Sequence, residues 1–166
     1  VHYELTDNCN HDCTHCYNSF DHTVPLVPHT IRKAIVEEVI KNEVFHAVVT
    51  GGEPFKDRKG LQYVLEEFTK NNMRLSLNTN LAMVNEGDIQ MVRDNNVKAI
   101  LTSVISYDPE VHDEVTGVPG SLKRTLKNIG TFASFNYGVT ANMVVNKNRV
   151  NGVYKTAKLA IENGAR

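Results

Sequence analysis

All three cysteines of this chain fall within one short run, Cys9-Asn10-His11-Asp12-Cys13-Thr14-His15-Cys16. Three thiols cannot pair off as disulfides without leaving one over, and no other cysteine exists to take it. The C-x3-C-x2-C spacing on one loop lets three thiolates converge on one small inorganic centre. Soft thiolates select iron–sulfur clusters, zinc or Cu(I). A four-iron cluster usually takes four cysteines. Three leave one iron open, and an open position is what a catalytic metal needs. A structural zinc knot is the bland alternative, with His11 or His15 as fourth ligand. Such knots more often use a second cysteine pair, and none follows here.

The rest of the chain alternates strand and helix patterns. His2 to Thr6 is expected as a first strand feeding the cysteine loop, and Asp21 to Pro28, with Pro25 and Pro28, as a loop. Thr30 to Glu43 is expected as a helix with Ile31, Ile35, Val39 and Ile40 on its apolar face. Phe45 to Thr50 is an apolar, β-branched run, as expected of a strand buried on both faces. It ends at Gly51-Gly52-Glu53-Pro54, where two glycines allow close backbone approach to a ligand and proline stops the strand. Leu61 to Asn71 follows as a helix with Leu61, Val64, Leu65 and Phe68 inward. Arg74 to Thr79 is the third strand. A helix capped by Asn85 runs to about Asn95, and Ala99 to Ile105 is the fourth strand.

Asp108 to Ser121 is expected as a long loop; His112 and Asp113 could suggest acid–base work, but a surface turn that orients the loop is the expected place for them. Ser121 is the expected N-cap of a helix reaching Ser134, with Leu122, Leu126, Ile129 and Phe132 inward. Gly138 to Val145 is the fifth strand, with Thr140 and Asn142 on one side. Val150 to Asn163 is the last helix, and Gly164 suits its C′ position. Strands alternating with helices argue for a parallel sheet joined by right-handed crossovers. A full eight-stranded barrel needs about 250 residues. The expected fold is therefore α/β, a partial (β/α) TIM-like barrel of five or six parallel strands with helices outside. The 166 residues are expected to make one domain.

Cys9, Cys13 and Cys16 followed by Tyr17, with Gly-Gly-Glu-Pro one βα unit later, resemble the signature of the radical S-adenosylmethionine (radical SAM) enzymes. The resemblance covers nearly the whole chain. It implies a [4Fe–4S] cluster on Cys9, Cys13 and Cys16, whose open iron chelates S-adenosylmethionine (SAM). An electron from the cluster then breaks the sulfonium bond and yields a 5′-deoxyadenosyl radical. Gly51, Gly52 and Glu53 would hold the methionyl part, with Glu53 beside its ammonium, and Tyr17 would contact adenine. Asn78 and Asn80, at the end of the third strand, would lie near SAM, although Asn80 serves equally well as a chain-turning residue. Ser103 matches a serine of a Ser-Ile-Asp-Gly run in relatives. Here the run is Ser103-Val104-Ile105-Ser106, so the aspartate and glycine are missing. Asn142 would face the adenosyl group or be an ordinary interior polar residue.

The Asp108 to Ser121 stretch resembles the peptide-modifying branch, which carries a cysteine-rich C-terminal extension. The implied partners are SAM, a peptide or protein substrate, and an electron donor such as flavodoxin or ferredoxin. Small-molecule cofactor biosynthesis by the same chemistry, a zinc-binding module and an electron-transfer protein are the rival readings. Net charge is −1 without a basic block, so nucleic acid is not an expected partner. No apolar run long enough to span a bilayer is present, and clustered cysteines suit a reducing, cytoplasmic setting. The chain has no initiating methionine, and the pattern is that of a core piece of something longer, lacking a sixth unit. Gly138 to Val145 is then expected to be an exposed sheet edge.

Overall fold

The computed structural model describes residues 1–17 and 24–166. The chain divides into two compact units. Unit one comprises Val1–Asn10, Asn18–Thr79 and Asn85–Ala99; unit two comprises His11–Tyr17, Asn80–Val84 and Ile100–Arg166. All strand pairings described within either unit are parallel, and helices connect the strands. No described helix is long and apolar enough to cross a membrane.

In unit one, β1 (His2–Glu4) pairs with β2 (His46–Thr50), and β2 with β3 (Arg74–Asn78). Side chains alternate across a strand. Tyr3, Ala47, Val49, Leu75 and Leu77 are buried on one face, and Tyr3 meets Phe68 of α2 (Arg58–Lys70) edge-on. The other face is half-exposed and largely polar, with His46 Nε2 3.0 Å from Ser76 Oγ. The β2 strand is therefore buried on one face, not both: its apolar run reflects the β-branched preference of a strand as much as burial.

The first helix, α1 (His29–Lys41), is rotated from its expected face. Arg32 and Val36 are buried, whereas Ile31 and Ile35 are 53% and 45% exposed. The reason is an ion pair: Arg32 meets Asp57, the N-cap of α2, in the interior. Asp57 also accepts the Gly60 N–H at 2.9 Å. A Cβ on Gly60 would lie 2.1 Å from the Arg32 guanidinium, so only glycine leaves room for the pair. The inward residues of α2 are the expected ones. The third helix, α3 (Glu86–Asp94), starts with a capping box between Asn85 and Asp88. Residues 24–28 are irregular, as expected there; the start of that expected loop lies outside the described residues.

Helices here stop in a repeated way. The residue after the C-cap is left-handed at Asn72, Asn96 and Asn136, and at Gly164 after the last helix. After α2, for example, Met73 N–H bonds Phe68 O and Asn72 N–H bonds Thr69 O, the paired bonds that close a Schellman turn.

In unit two, β4 (Ala99–Ser103) pairs with β5 (Val139–Asn142), with Ser103 beside Asn142. Asp108 to Ser121 is not a loop. It holds α4 (Pro109–Thr116), begun by Asp108 as N-cap and Pro109 at its first turn, and ended by left-handed Gly117. His112 is buried on this helix rather than on a surface turn. Nor is Ser121 the N-cap of α5 (Ser121–Ser134), which is Gly120. The capping oxygen comes from α4: Asp113 accepts from the Gly120 and Leu122 N–H groups and from the Ser121 hydroxyl. A short 3-10 turn then leads into α6 (Val153–Glu162). Gly164 takes its expected role, with φ of 99°. The edge of β5 is not bare throughout, because Val139 bridges Ala165 in parallel and accepts the Arg166 N–H.

Candidate functional site

In unit one, Gly-Gly-Glu-Pro is fastened to the segment that enters the cysteine loop. Leu5 N–H donates to Thr50 O, Gly52 N–H to Thr6 O at 2.7 Å, and Glu53 N–H to Asn8 O at 2.8 Å. Backbone bonding between the two segments thus continues past the ends of β1 and β2, out of the strand register, up to the residue before Cys9. The glycines are needed for this approach. Gly51 has φ of 132°, and its Cβ would lie 2.5 Å from Thr6 O; a Cβ on Gly52 would lie 2.3 Å from Asn8 O. What comes close on those sides is the protein's own backbone, where the sequence suggested a ligand.

Glu53 is fully buried. Its carboxylate accepts the Phe55 N–H at 3.1 Å, capping the 3-10 turn Pro54–Asp57. It also accepts the Thr79 hydroxyl, at 2.8 and 2.9 Å to its two oxygens. Thr79 and Asn8 were not predicted from the sequence. Thr79 carried one signal: it lies between Asn78 and Asn80 at a strand end, where ligand contacts concentrate in βα barrels.

In unit two, the Cys16 N–H donates to Cys13 O at 3.0 Å. The turn Cys13-Thr14-His15-Cys16 is thereby closed, which holds the two Cα atoms within about 7 Å. Cys13 is half-buried and Cys16 exposed; Cys9, in unit one, is half-buried. Among the described residues no three His, Cys, Asp or Glu side chains are gathered into a ligating group. The donor set itself fits an iron–sulfur cluster, with three accessible thiols and two of them on one tight turn. Tyr17 is 78% exposed.

His11 and His15 differ. His15 is exposed, while His11 is buried and its pKa is pushed down to about 4, first by burial and then by His112 and Arg124. His112 is likewise pushed down to about 4 by burial, against the pull of Asp113. Its Nδ1 accepts the Ile105 N–H, which requires an unprotonated nitrogen there.

The remaining predicted residues are spread over strand ends. Asn78 closes β3, half-exposed on the polar face. Asn80 turns the chain: its side-chain oxygen accepts the Ala82 N–H, and its carbonyl accepts the Thr125 hydroxyl. Ser103 and Asn142 are register partners, so they share one face of their strand pair. Asn142 is exposed rather than interior.

The parallel α/β chain carries three thiols after its first strand and Gly-Gly-Glu-Pro after its second, with the segment before Cys9 bonded to the latter. A family model described as the Radical SAM superfamily matches residues 3–159. The chain belongs to the radical SAM superfamily, a superfamily of enzymes.

It is 28% identical over 165 residues to the AdoMet-dependent heme synthase of Methanosarcina barkeri, covering 98% of this chain and 47% of that protein. It is 27% identical over 169 residues to the antilisterial bacteriocin subtilosin biosynthesis protein AlbA of Bacillus subtilis, covering 99% and 37%. Crystal structures of Streptococcus suis SuiB, one bound to precursor peptide SuiA and one to S-adenosylmethionine, each match with a TM-score of 0.83. They are 17% identical and cover 99% of this chain and 37% and 38% of theirs. The fold is thus that of the TIM-like radical SAM core, and the chain spans less than half the length of these relatives.

Proposed function

We propose that this chain is the cofactor-holding core of a radical SAM enzyme that modifies a peptide or protein. Cys9, Cys13 and Cys16 would hold a [4Fe–4S] cluster through their thiolates. When bound, cluster and SAM together supply reductive cleavage of the sulfonium to a 5′-deoxyadenosyl radical that takes hydrogen from the substrate. The protein's part is binding, orientation and shielding. Gly51 and Gly52 hold the strand end against Thr6 and Asn8. Glu53, buried and hydrogen-bonded, places a carboxylate suited to an ammonium. Tyr17 offers an exposed aromatic face for adenine, and Asn78, Asn80, Ser103 and Asn142 offer polar groups at strand ends. An external reductant such as flavodoxin or ferredoxin would deliver the electron, in a reducing cytoplasm.

The observation that carries this reading is the pair of backbone bonds from Gly52 and Glu53 to Thr6 and Asn8. They fasten Gly-Gly-Glu-Pro to the segment that leads into Cys9. The peptide reading draws support from AlbA, whose name concerns bacteriocin biosynthesis, and from SuiB, crystallised with a precursor peptide. The heme synthase relative supports small-molecule chemistry as the second reading. Anaerobic reconstitution followed by iron and sulfide analysis tests the cluster assignment. Four irons and four sulfides per chain are expected, lost in single Cys→Ala variants; zinc without sulfide would overturn it.

A further inference from the structure

The last turn of a helix leaves carbonyl groups without intrahelical donors. In α4 two of these carbonyls are taken by the cysteine loop. Asp12 N–H donates to Thr116 O and Thr14 N–H to Val115 O, both at 2.9 Å. Asp12 and Thr14 flank Cys13 on either side. Gly117 ends the helix directly beneath them. Its φ is 69°, and a Cβ there would lie 3.1 Å from Asp12 O and 3.2 Å from Asp12 Cβ.

The helix end is itself braced. Asp113 takes three donors from the start of α5. These bonds hold its carboxyl below the usual carboxylate range against the opposing effect of burial. The Thr116 hydroxyl lies 2.7 Å from that of Ser121, and His112 fixes Ile105.

We infer that the C-terminal end of α4 is a template that sets the Cys13–Cys16 turn, with Gly117 and Asp113 as positioning residues for the two thiols that the turn presents. This rests on the reading of Cys13 and Cys16 as cluster ligands. Two main-chain bonds flanking Cys13 restrict its backbone before any metal arrives. Ordering costs are then met in folding rather than at cluster assembly. Neither Gly117 nor Asp113 belongs to the cysteine or Gly-Gly-Glu motifs.

Amide hydrogen exchange in the metal-free chain tests the template directly. Asp12 and Thr14 should be protected. Gly117→Ala should exchange them at least about tenfold faster, and Asp113→Asn should shift them in the same direction. Asp113→Asn also serves if Gly117→Ala does not fold. Asn136→Ala, at the left-handed stop of α5, is the control for general loss of stability and should leave both amides protected. After reconstitution, the Gly117 and Asp113 variants should take up iron more slowly and show an altered electron paramagnetic resonance spectrum of the reduced cluster. Unchanged exchange and unchanged spectra in both variants would overturn the inference. So would equal changes in Asn136→Ala, which mark a global effect. A wild-type chain that takes up no iron would instead overturn the cluster reading, whatever the exchange rates show.

Discussion

The Thr79 hydroxyl donates to both oxygens of the buried Glu53 carboxylate, at 2.8 and 2.9 Å. One residue follows β2 and the other follows β3, so this contact ties two strand ends at the motif that would hold the methionyl group. Thr79→Val keeps the shape and removes the donor. A buried acceptor that loses a donor costs about 1–3 kcal/mol. Thr79→Val should therefore lower stability by that amount in urea titration, and weaken SAM binding to the reconstituted chain. An unchanged midpoint and unchanged affinity would count against the contact.

Gly52→Ala should be worse than a loop substitution normally is. Its Cβ would stand 2.3 Å from Asn8 O, a backbone atom that cannot swing aside. Overpacking of this kind costs about 1–3 kcal/mol or more. The expected result is a lower thermal midpoint together with reduced cluster yield, because the displaced segment leads into Cys9. Circular dichroism melting and iron analysis on the same sample measure both.

Much of the fold was legible because its signals are local. The alternation of strand and helix, the inward stripe of α2 and the Asn85 cap depend on nearby residues alone. The Arg32–Asp57 pair spans α1 and α2, and no periodicity in α1 foretells that an arginine will displace Ile31 and Ile35 from the interior. The α4 helix was missed because Pro109 and Gly117-Val118-Pro119-Gly120 look like loop punctuation, whereas they are its start and stop. In the site, the three cysteines and Gly-Gly-Glu-Pro were legible as chemistry. Their fastening through Asn8 was not, because backbone bonds between distant segments leave no residue-type signature. Asn72, Asn96 and Asn136 did carry a helix-stop signal of the kind read at Gly164.

Gly60→Ala separates two opposed effects. In an exposed helix it would gain about 1 kcal/mol from propensity. Here the added Cβ would meet the Arg32 guanidinium and the Asp57 carboxylate. Breaking a buried ion pair costs about 3–5 kcal/mol, so net destabilisation of about 2–4 kcal/mol is expected in urea unfolding. A stabilised variant would show that the pair can relocate freely.

His112 makes stability pH-dependent in a stated window. Its folded pKa is about 4, below the ordinary histidine value of 6.5, so the unfolded chain binds more protons between those values. Its contribution is fully present above about pH 6.5 and is lost as pH falls toward 4. The full shift corresponds to about 3 kcal/mol. His112→Asn should reduce the slope of the stability–pH curve there in metal-free protein, leaving the part that His11, also pushed down to about 4, contributes. Retention of the full slope would assign it to other groups.

On the proposed reading, Cys9, Cys13 and Cys16 hold a cluster that works on SAM bound beside Glu53, with Gly51 and Gly52 holding the strand end in place. The most direct measurement is release of 5′-deoxyadenosine from SAM by the anaerobically reconstituted chain, with and without dithionite. Dithionite-dependent release that disappears in each of Cys9→Ala, Cys13→Ala and Cys16→Ala is the predicted result. A chain that carries four irons and binds SAM, yet releases no 5′-deoxyadenosine when reduced, would contradict it.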